Sequence, residues 1–420
     1  MKKKTGLLLI ALVVALGGIF LPGCLKDKVV RTYTIYTPVF TRKDTVLAAL
    51  NGDPGKTIAK TGQIYTKGSF IYLNDFNAGI HVIDNSNPSH PVQTAFLSIP
   101  GNQQIAMRGN ILYADMYGDI LGIDIADPKH ARITDTLYNL IPYRNYAVYQ
   151  YVLTGWTHRD TTMSESSAES MRLYSVPGTV YYTPASYSAA AASSLGQSSA
   201  GTAGSTASMT LIGDYLYVIP DNGSLGIINV SDPSNLTMLP SVTVGSNLET
   251  IFPMRNRLLI GSKVGVYIYS IDNPAKPASL GEFQHGRACD PVIADDNNAY
   301  VTLHTGTTCG GAANELDVLD AKDLSKVSLL KTYPMTYPLG LGKDGSLLFV
   351  CDSTVVKVFD ASDPVNLKQL TTISVTGAFD VIASNHLLIV VSPGGLDQFD
   401  YSNPSHIVAL SHLSVNQSQK

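Results

Sequence analysis

What this chain lacks first is any excess of positive charge. Only 15% of its 420 residues are charged, with 29 Lys and Arg against 33 Asp and Glu, so its surface carries no basic stripe to displace counterions from phosphates. Nucleic acid is excluded as the expected partner. Tryptophan occurs once against 23 tyrosines, and cysteine only four times. No Asp-x-Asp-x-Asp-Gly run gathers oxygens for calcium, and no Ser/His/Asp order or metal-ligand spacing singles out a nucleophile or a cofactor. Neither a cofactor nor an enzymatic activity is therefore expected. The length is ample for one large core.

The apolar run from Gly6 to Leu21 is too short and wrongly flanked for a spanning helix. Preceded by Lys2, Lys3 and Lys4 and followed by Leu21-Pro22-Gly23-Cys24, it reads as a secretory signal over residues 1–23. The Leu-Pro-Gly-Cys run resembles the bacterial lipobox, which implies that Cys24 is acylated and becomes the first mature residue. Removing three lysines and no acid moves the formal charge from −4 to −7. Acyl chains on Cys24 would hold the protein at a membrane at about 0.8 kcal/mol per buried methylene. Lys26-Asp27 resembles a short export signal of Bacteroidetes lipoproteins. An outer-membrane lipoprotein exposed at the cell surface is the expected product.

Seven times an apolar strand runs into an aspartate or its stand-in and then a turn: Asp84 to Pro88, Asp124 to Pro128, Asn229 to Pro233, Ser270 to Pro274, Asp320 to Leu324, Asp360 to Pro364 and Asp400 to Pro404. Neighbouring copies lie 40 or 41 residues apart, except for the 105 residues between Pro128 and Pro233 and the 50 between Pro274 and Leu324. Asp and Asn can hydrogen-bond their own backbone two residues on, and proline fixes φ, so each turn sends the chain outward. Runs such as Phe70 to Leu73, Leu347 to Val350 and Leu387 to Val390 read as buried second strands, each followed by a third strand. A period near 40 built from strands is the mark of a β-propeller with one four-stranded blade per repeat. The expectation is an all-β, seven-bladed propeller over 59–413, with blades near 59–100, 101–141, 205–245, 246–284, 285–333, 334–373 and 374–413.

The long interval holds an insertion at about 142–204. From Ser186 to Ser208 it is rich in Ser, Ala and Gly, which predicts a mobile loop. Its more aromatic first half, Tyr143 to Trp156, is expected to extend strands of the second blade. Residues 24–58 form a lipidated tether with an extra strand at Thr32 to Tyr36 and a short helix from Asp44 to Leu50, and 414–420 form a tail. Both terminal blades read as complete, so the ring is expected to close on side-chain packing.

The repeats, with Ile80-His81-Val82-Ile83-Asp84 and Val356-Lys357-Val358-Phe359-Asp360 as clear copies, resemble the LVIVD repeat. Arg287 to Val292, Ala299 to Leu303 and Asn314 to Val318 are similar to segments of a subgroup of Bacteroidetes lipoproteins. The resemblance implies a propeller at the cell surface and no catalytic residues. The Trp-containing docking motif of quinone-dependent propeller dehydrogenases cannot exist with Trp156 alone.

Apart from Cys24, the cysteines are Cys289, Cys309 and Cys351. Export permits disulfides, and Cys289 and Cys309 fall in one blade, so these two are expected to pair. Cys351 reads as a small buried filler. First strands line a propeller's channel, and Gln63, Gln104, Glu249, Asp290 and Asp380 recur there. With His285, Arg287 and His304 they form the candidate channel-mouth site. Two readings stand: a binding site for a surface protein or glycan, or polar groups that only satisfy backbone amides. An alternative activity is a hydrolase or lyase with Asp290 and Asp380 as acid and base and Arg287 steadying an anion.

Overall fold

A computed structural model describes residues 30–144, 150–164, 190–191, 202–203, 205–263, 265–284, 291–305, 313–324 and 326–415. The chain forms two compact units, one from residues 1–39 and 155–184, the other from 40–154 and 185–420. In the first, part of the strand Val30–Arg42 pairs with part of Tyr151–Ser164 as a two-stranded ribbon. Cross-strand bonds join Thr32 to Thr162 (3.0 Å) and Thr34 to Asp160 (2.7 Å). Tyr151–Ser164 thus does not extend the second blade. Its edge is taken by the N-terminal strand, and the second blade is already complete with four strands.

The second unit is the ring. Seven antiparallel sheets follow one another in sequence, each with four blade strands in chain order. Their first strands are Thr61–Lys67, Ile105–Arg108, Met209–Ile212, Leu248–Met254, Val292–Ala294, Pro338–Asp344 and Asp380–Ser384. These first strands are spatial neighbours from blade to blade, which makes them the inner lining. The second strands are nearly continuous apolar runs because both faces meet other blades. Leu347–Asp352, for example, is buried from Leu348 to Asp352. The core is accordingly a series of clusters between adjacent blades, such as Tyr217, Ile227, Ile251 and Ile260 between the third and fourth. The short helix Lys43–Ala48 adds Val46 to the cluster between the first two.

The repeated turn works as its residue types dictate. Oδ1 of Asp84, Asp124, Asp360 and Asp400 accepts from the amide of Ser86, Ala126, Ser362 and Ser402 at 2.7 to 2.9 Å. The second acidic or amide residue repeats the bond, as in Asp127 to the amide of Lys129 (3.0 Å) and Asp363 to that of Val365 (3.1 Å). These carboxylates are occupied with their own backbone. The amide two residues on holds the carboxyls of Asp84, Asp124 and Asp360 below the usual range. A depressed folded-state value contributes stability that is present above the unfolded value of about 3.9 and lost as pH falls through the folded one. The urea midpoint should therefore drop as pH is lowered below about 4. Combining Asp84→Asn, Asp124→Asn and Asp360→Asn, which keeps the acceptors, should flatten that drop; an unchanged slope refutes this account.

Neighbouring inner strands are tied directly. Gln63 Oε1 accepts from the amide of Ile105 (2.9 Å), Gln104 Oε1 from Ser208 (3.0 Å), and the Ala207 carbonyl from Ile251 (2.8 Å). Thr302, on the second strand of the fifth blade, donates to the carbonyl of Leu339 (2.6 Å), and the Gly340 amide to that of Phe379 (3.1 Å). A Cβ at Gly340 would lie 2.5 Å from that same oxygen, so glycine is what lets these two strands approach. Between the seventh and first blades, Thr61 donates to Ser392 O (2.7 Å) and the side chains of Asn85 and Gln398 exchange two bonds of 2.7 and 2.8 Å. Among the described residues no strand is swapped between these two blades, and Ile64, Ile71 and Ile83 pack on Ile389, Val391 and Leu396. The ring closes on side chains.

Of the Ser/Ala/Gly-rich part of the insertion, 190–191, 202–203 and 205–208 are among the described residues. Ala190–Ala191 pairs in parallel with Ser205–Thr206, and Thr202–Ala203 pairs antiparallel with Thr66 and Tyr65 as a fifth strand of the first blade. These short strands lie beside the inner strands of blades four, six and seven as well as one.

Candidate functional site

Each strand reversal places the second-to-third turns and the links between blades on one face of the ring. At the ends of second strands on that face, three carboxylates are buried to 1% exposure or less: Asp75, Asp115 and Asp352. Each receives two successive amides from the segment entering its own blade. Asp75 takes those of Ala59 (3.2 Å) and Lys60 (2.8 Å), Asp115 those of Gln103 (2.7 Å) and Gln104 (2.8 Å), and Asp352 those of Thr336 (3.0 Å) and Tyr337 (2.6 Å). Each also meets a basic side chain: His81 Nε2 at 3.3 Å, Arg144 by a direct ion pair, and Lys357 Nζ at 2.6 Å. Carboxylates held by fixed amides and a neighbouring cation or imidazole are positioned to organise loops, and their lone pairs are already engaged.

This set escaped sequence reasoning. The available signal was an Asp recurring at the end of the second strand, in Asn74-Asp75, Ala114-Asp115 and Cys351-Asp352. In two blades a basic residue follows on the third strand, His81 and Lys357.

Beside Asp115 a cleft of about 70 Å³ opens between the second and third blades, lined by Gln103, Gln104, Arg144, Ser208 and Met209 among others. Arg144 also donates to the Gly101 carbonyl at 2.6 Å. At about 30 Å³ per water such a space holds two waters or a small ion, far below the 300 Å³ or more that an organic ligand occupies.

The expected channel-mouth residues are spread over several blades. Glu249 lies on the inner strand of the fourth, with Lys263 Nζ 4.0 Å away. His304 follows the second strand of the fifth, 1% exposed and edge-on to Tyr337 with ring centres 4.9 Å apart. Asp380 opens the inner strand of the seventh with no exposed surface, and its Oδ1 accepts from the amide of Val381 at 2.9 Å. Gln63 and Gln104 serve the bonds between neighbouring blades. His285, Arg287 and Asp290 lie outside the described residues, as do Cys24, Cys289 and Cys309. Cys351 is buried, with its thiol pushed well up by desolvation and then by Asp380 and Asp352.

The LVIVD repeat model matches residues 59–95 and 203–244, the first blade and the third. The chain carries LVIVD repeats. Among solved structures, this LVIVD-repeat propeller is similar to a protein from Lactobacillus plantarum at 12% identity and a TM-score of 0.54, covering 85% of this chain and 97% of that one. It is also similar to a periplasmic gluconolactonase of Pseudomonas aeruginosa at 13% identity and a TM-score of 0.53, covering 86% and 97%. At these identities the likeness concerns the fold alone. No curated protein matches the chain.

Proposed function

We propose that this LVIVD-repeat propeller is a membrane-anchored, non-enzymatic scaffold of the cell envelope that binds a surface protein or glycan through its loops. The observation that supports this reading is that the short strands at 190–191, 202–203 and 205–206 lie against inner strands of four blades, covering part of the lining and leaving recognition to the faces of the ring. A hydrolase or lyase in the channel loses support on the same ground, since Asp380 has no exposed surface from which to meet a substrate. The anchor rests on Cys24, and an oxidising envelope would let Cys289 and Cys309 pair in the fifth blade.

The test is cross-linking of the protein in intact membranes, followed by glycan arrays with the purified protein. A specific captured protein or glycan is expected. An inert protein in both, together with hydrolysis of a lactone or glycoside that Asp380→Asn abolishes, would overturn the scaffold reading in favour of the enzyme.

A further inference from the structure

The first unit's ribbon exposes apolar side chains where a folded domain would bury them. Val30 is 57% exposed, Tyr36 53%, Val39 39% and Trp156 37%. The bonded pairs 32 with 162 and 34 with 160 continue to Tyr36 and His158, whose rings stand 5.9 Å apart. Alternation along the strand then puts Trp156 on the same face as His158 and Tyr36. One side of this ribbon thus presents two amphipathic rings and an imidazole. The same alternation places Val30, Thr32, Thr34, Asp160 and Thr162 on this face, with the Asp160 carboxylate accepting from Thr34 (2.7 Å), while Val39 and Arg159 fall on the other.

The geometry points to a bilayer interface as the occupant of this face. Val30 lies six residues after Cys24, a span of at most about 20 Å even when fully extended. If Cys24 is acylated, the start of the ribbon is tethered within that distance of the lipid. Tyr and Trp favour that zone because each ring has an apolar body and a polar tip. The ribbon is therefore a second, non-covalent membrane contact that acts together with the acyl chains. A single acyl chain binds reversibly and stable anchoring takes a second signal. This inference rests on the proposed anchor, and among the described residues no helix is long and apolar enough to cross a membrane.

Because Trp156 is the only tryptophan, its fluorescence reports on the ribbon alone. The full-length protein, reconstituted into phosphatidylcholine liposomes containing a fraction of brominated lipid, should show blue-shifted, quenched emission that 0.5 M salt leaves unchanged. Tyr36→Ser should weaken liposome binding of Cys24→Ser protein about tenfold, the scale of burying one aromatic side chain. Trp156→Thr, followed by sedimentation, should do the same. Protein that floats with the liposomes while Trp156 keeps a water-exposed spectrum overturns the ribbon's role and leaves the anchor standing. If mass analysis finds Cys24 unmodified the anchor reading fails, and the ribbon is then judged on quenching at millimolar lipid, absence of which overturns it. An emission shift that follows protein concentration instead of lipid assigns the face to a second copy and overturns it too.

Discussion

Asp115→Ala is expected to lower the stability of the ring by about 3–5 kcal/mol, the cost of breaking a buried ion pair by removing one partner. The carboxylate holds the amides of Gln103 and Gln104, the Asn102 amide group at 2.8 Å and the guanidinium of Arg144. All are left facing a void, and Arg144, with its side chain only 14% exposed, keeps an uncompensated charge. Urea unfolding of the purified protein reads the loss. Combining Asp115→Ala with Arg144→Met removes that charge and should recover part of it. A single variant within 1 kcal/mol of the parent would show that water replaces the carboxylate at no cost, and the positioning role would fall.

The second large effect belongs to the seam between the last blade and the first. After the turn's leading residue the other six copies place Ile125, Val230, Ile271, Ala321, Ala361 and Tyr401, all apolar, whereas the first has Asn85. Its partner Gln398 stands where five of the other six third strands carry Val82, Ile227, Ile268, Val318 and Val358, and the second blade has Gly122. Both are buried, at 8% and 0% exposure. Gln398→Ala should cost about 1–3 kcal/mol because Asn85 is left with an unsatisfied buried amide. Replacing both, with Asn85→Ile and Gln398→Val, gives this seam the side chains used elsewhere in the ring and should be close to neutral. The coupling energy between the two positions should reach about 1 kcal/mol or more. Additive losses would show that the two amides do not act as a pair.

Much of the ring was legible from spacing. The turns are punctuated by residues with local reasons to be there, and the second strands have no polar gap long enough to be anything else, so beat and blade number could both be read. The helix expected from Asp44 to Leu50 is found at Lys43–Ala48. What could not be read was any arrangement set by partners distant in the chain. Tyr143 to Trp156 has strand-forming residues, but nothing local says that Tyr151–Ser164 pairs with a strand more than a hundred residues earlier. The Ser/Ala/Gly run carries no periodicity, and the inner strands beside 190–191 and 205–206 are neighbours only once the ring is built.

The candidate site was legible as residue types and not as roles. Gln63, Glu249 and Asp380 lie on first strands. Gln104 immediately precedes the strand Ile105–Arg108, and His304 immediately follows Asn298–Leu303. The paired carboxylates were passed over because they accept from backbone amides, which no side-chain motif announces.

The insertion has a bearing on the order in which the molecule is made. Its residues near 190 and 205 rest against strands beginning at Leu248, Pro338 and Asp380. An emerging chain therefore carries this stretch without its resting place until the last blade has been made. Loop-closure entropy is met before such distant contacts repay it, so settling of the middle of the polypeptide waits on its C-terminal end, and truncation there should leave the centre as well as the rim unfinished.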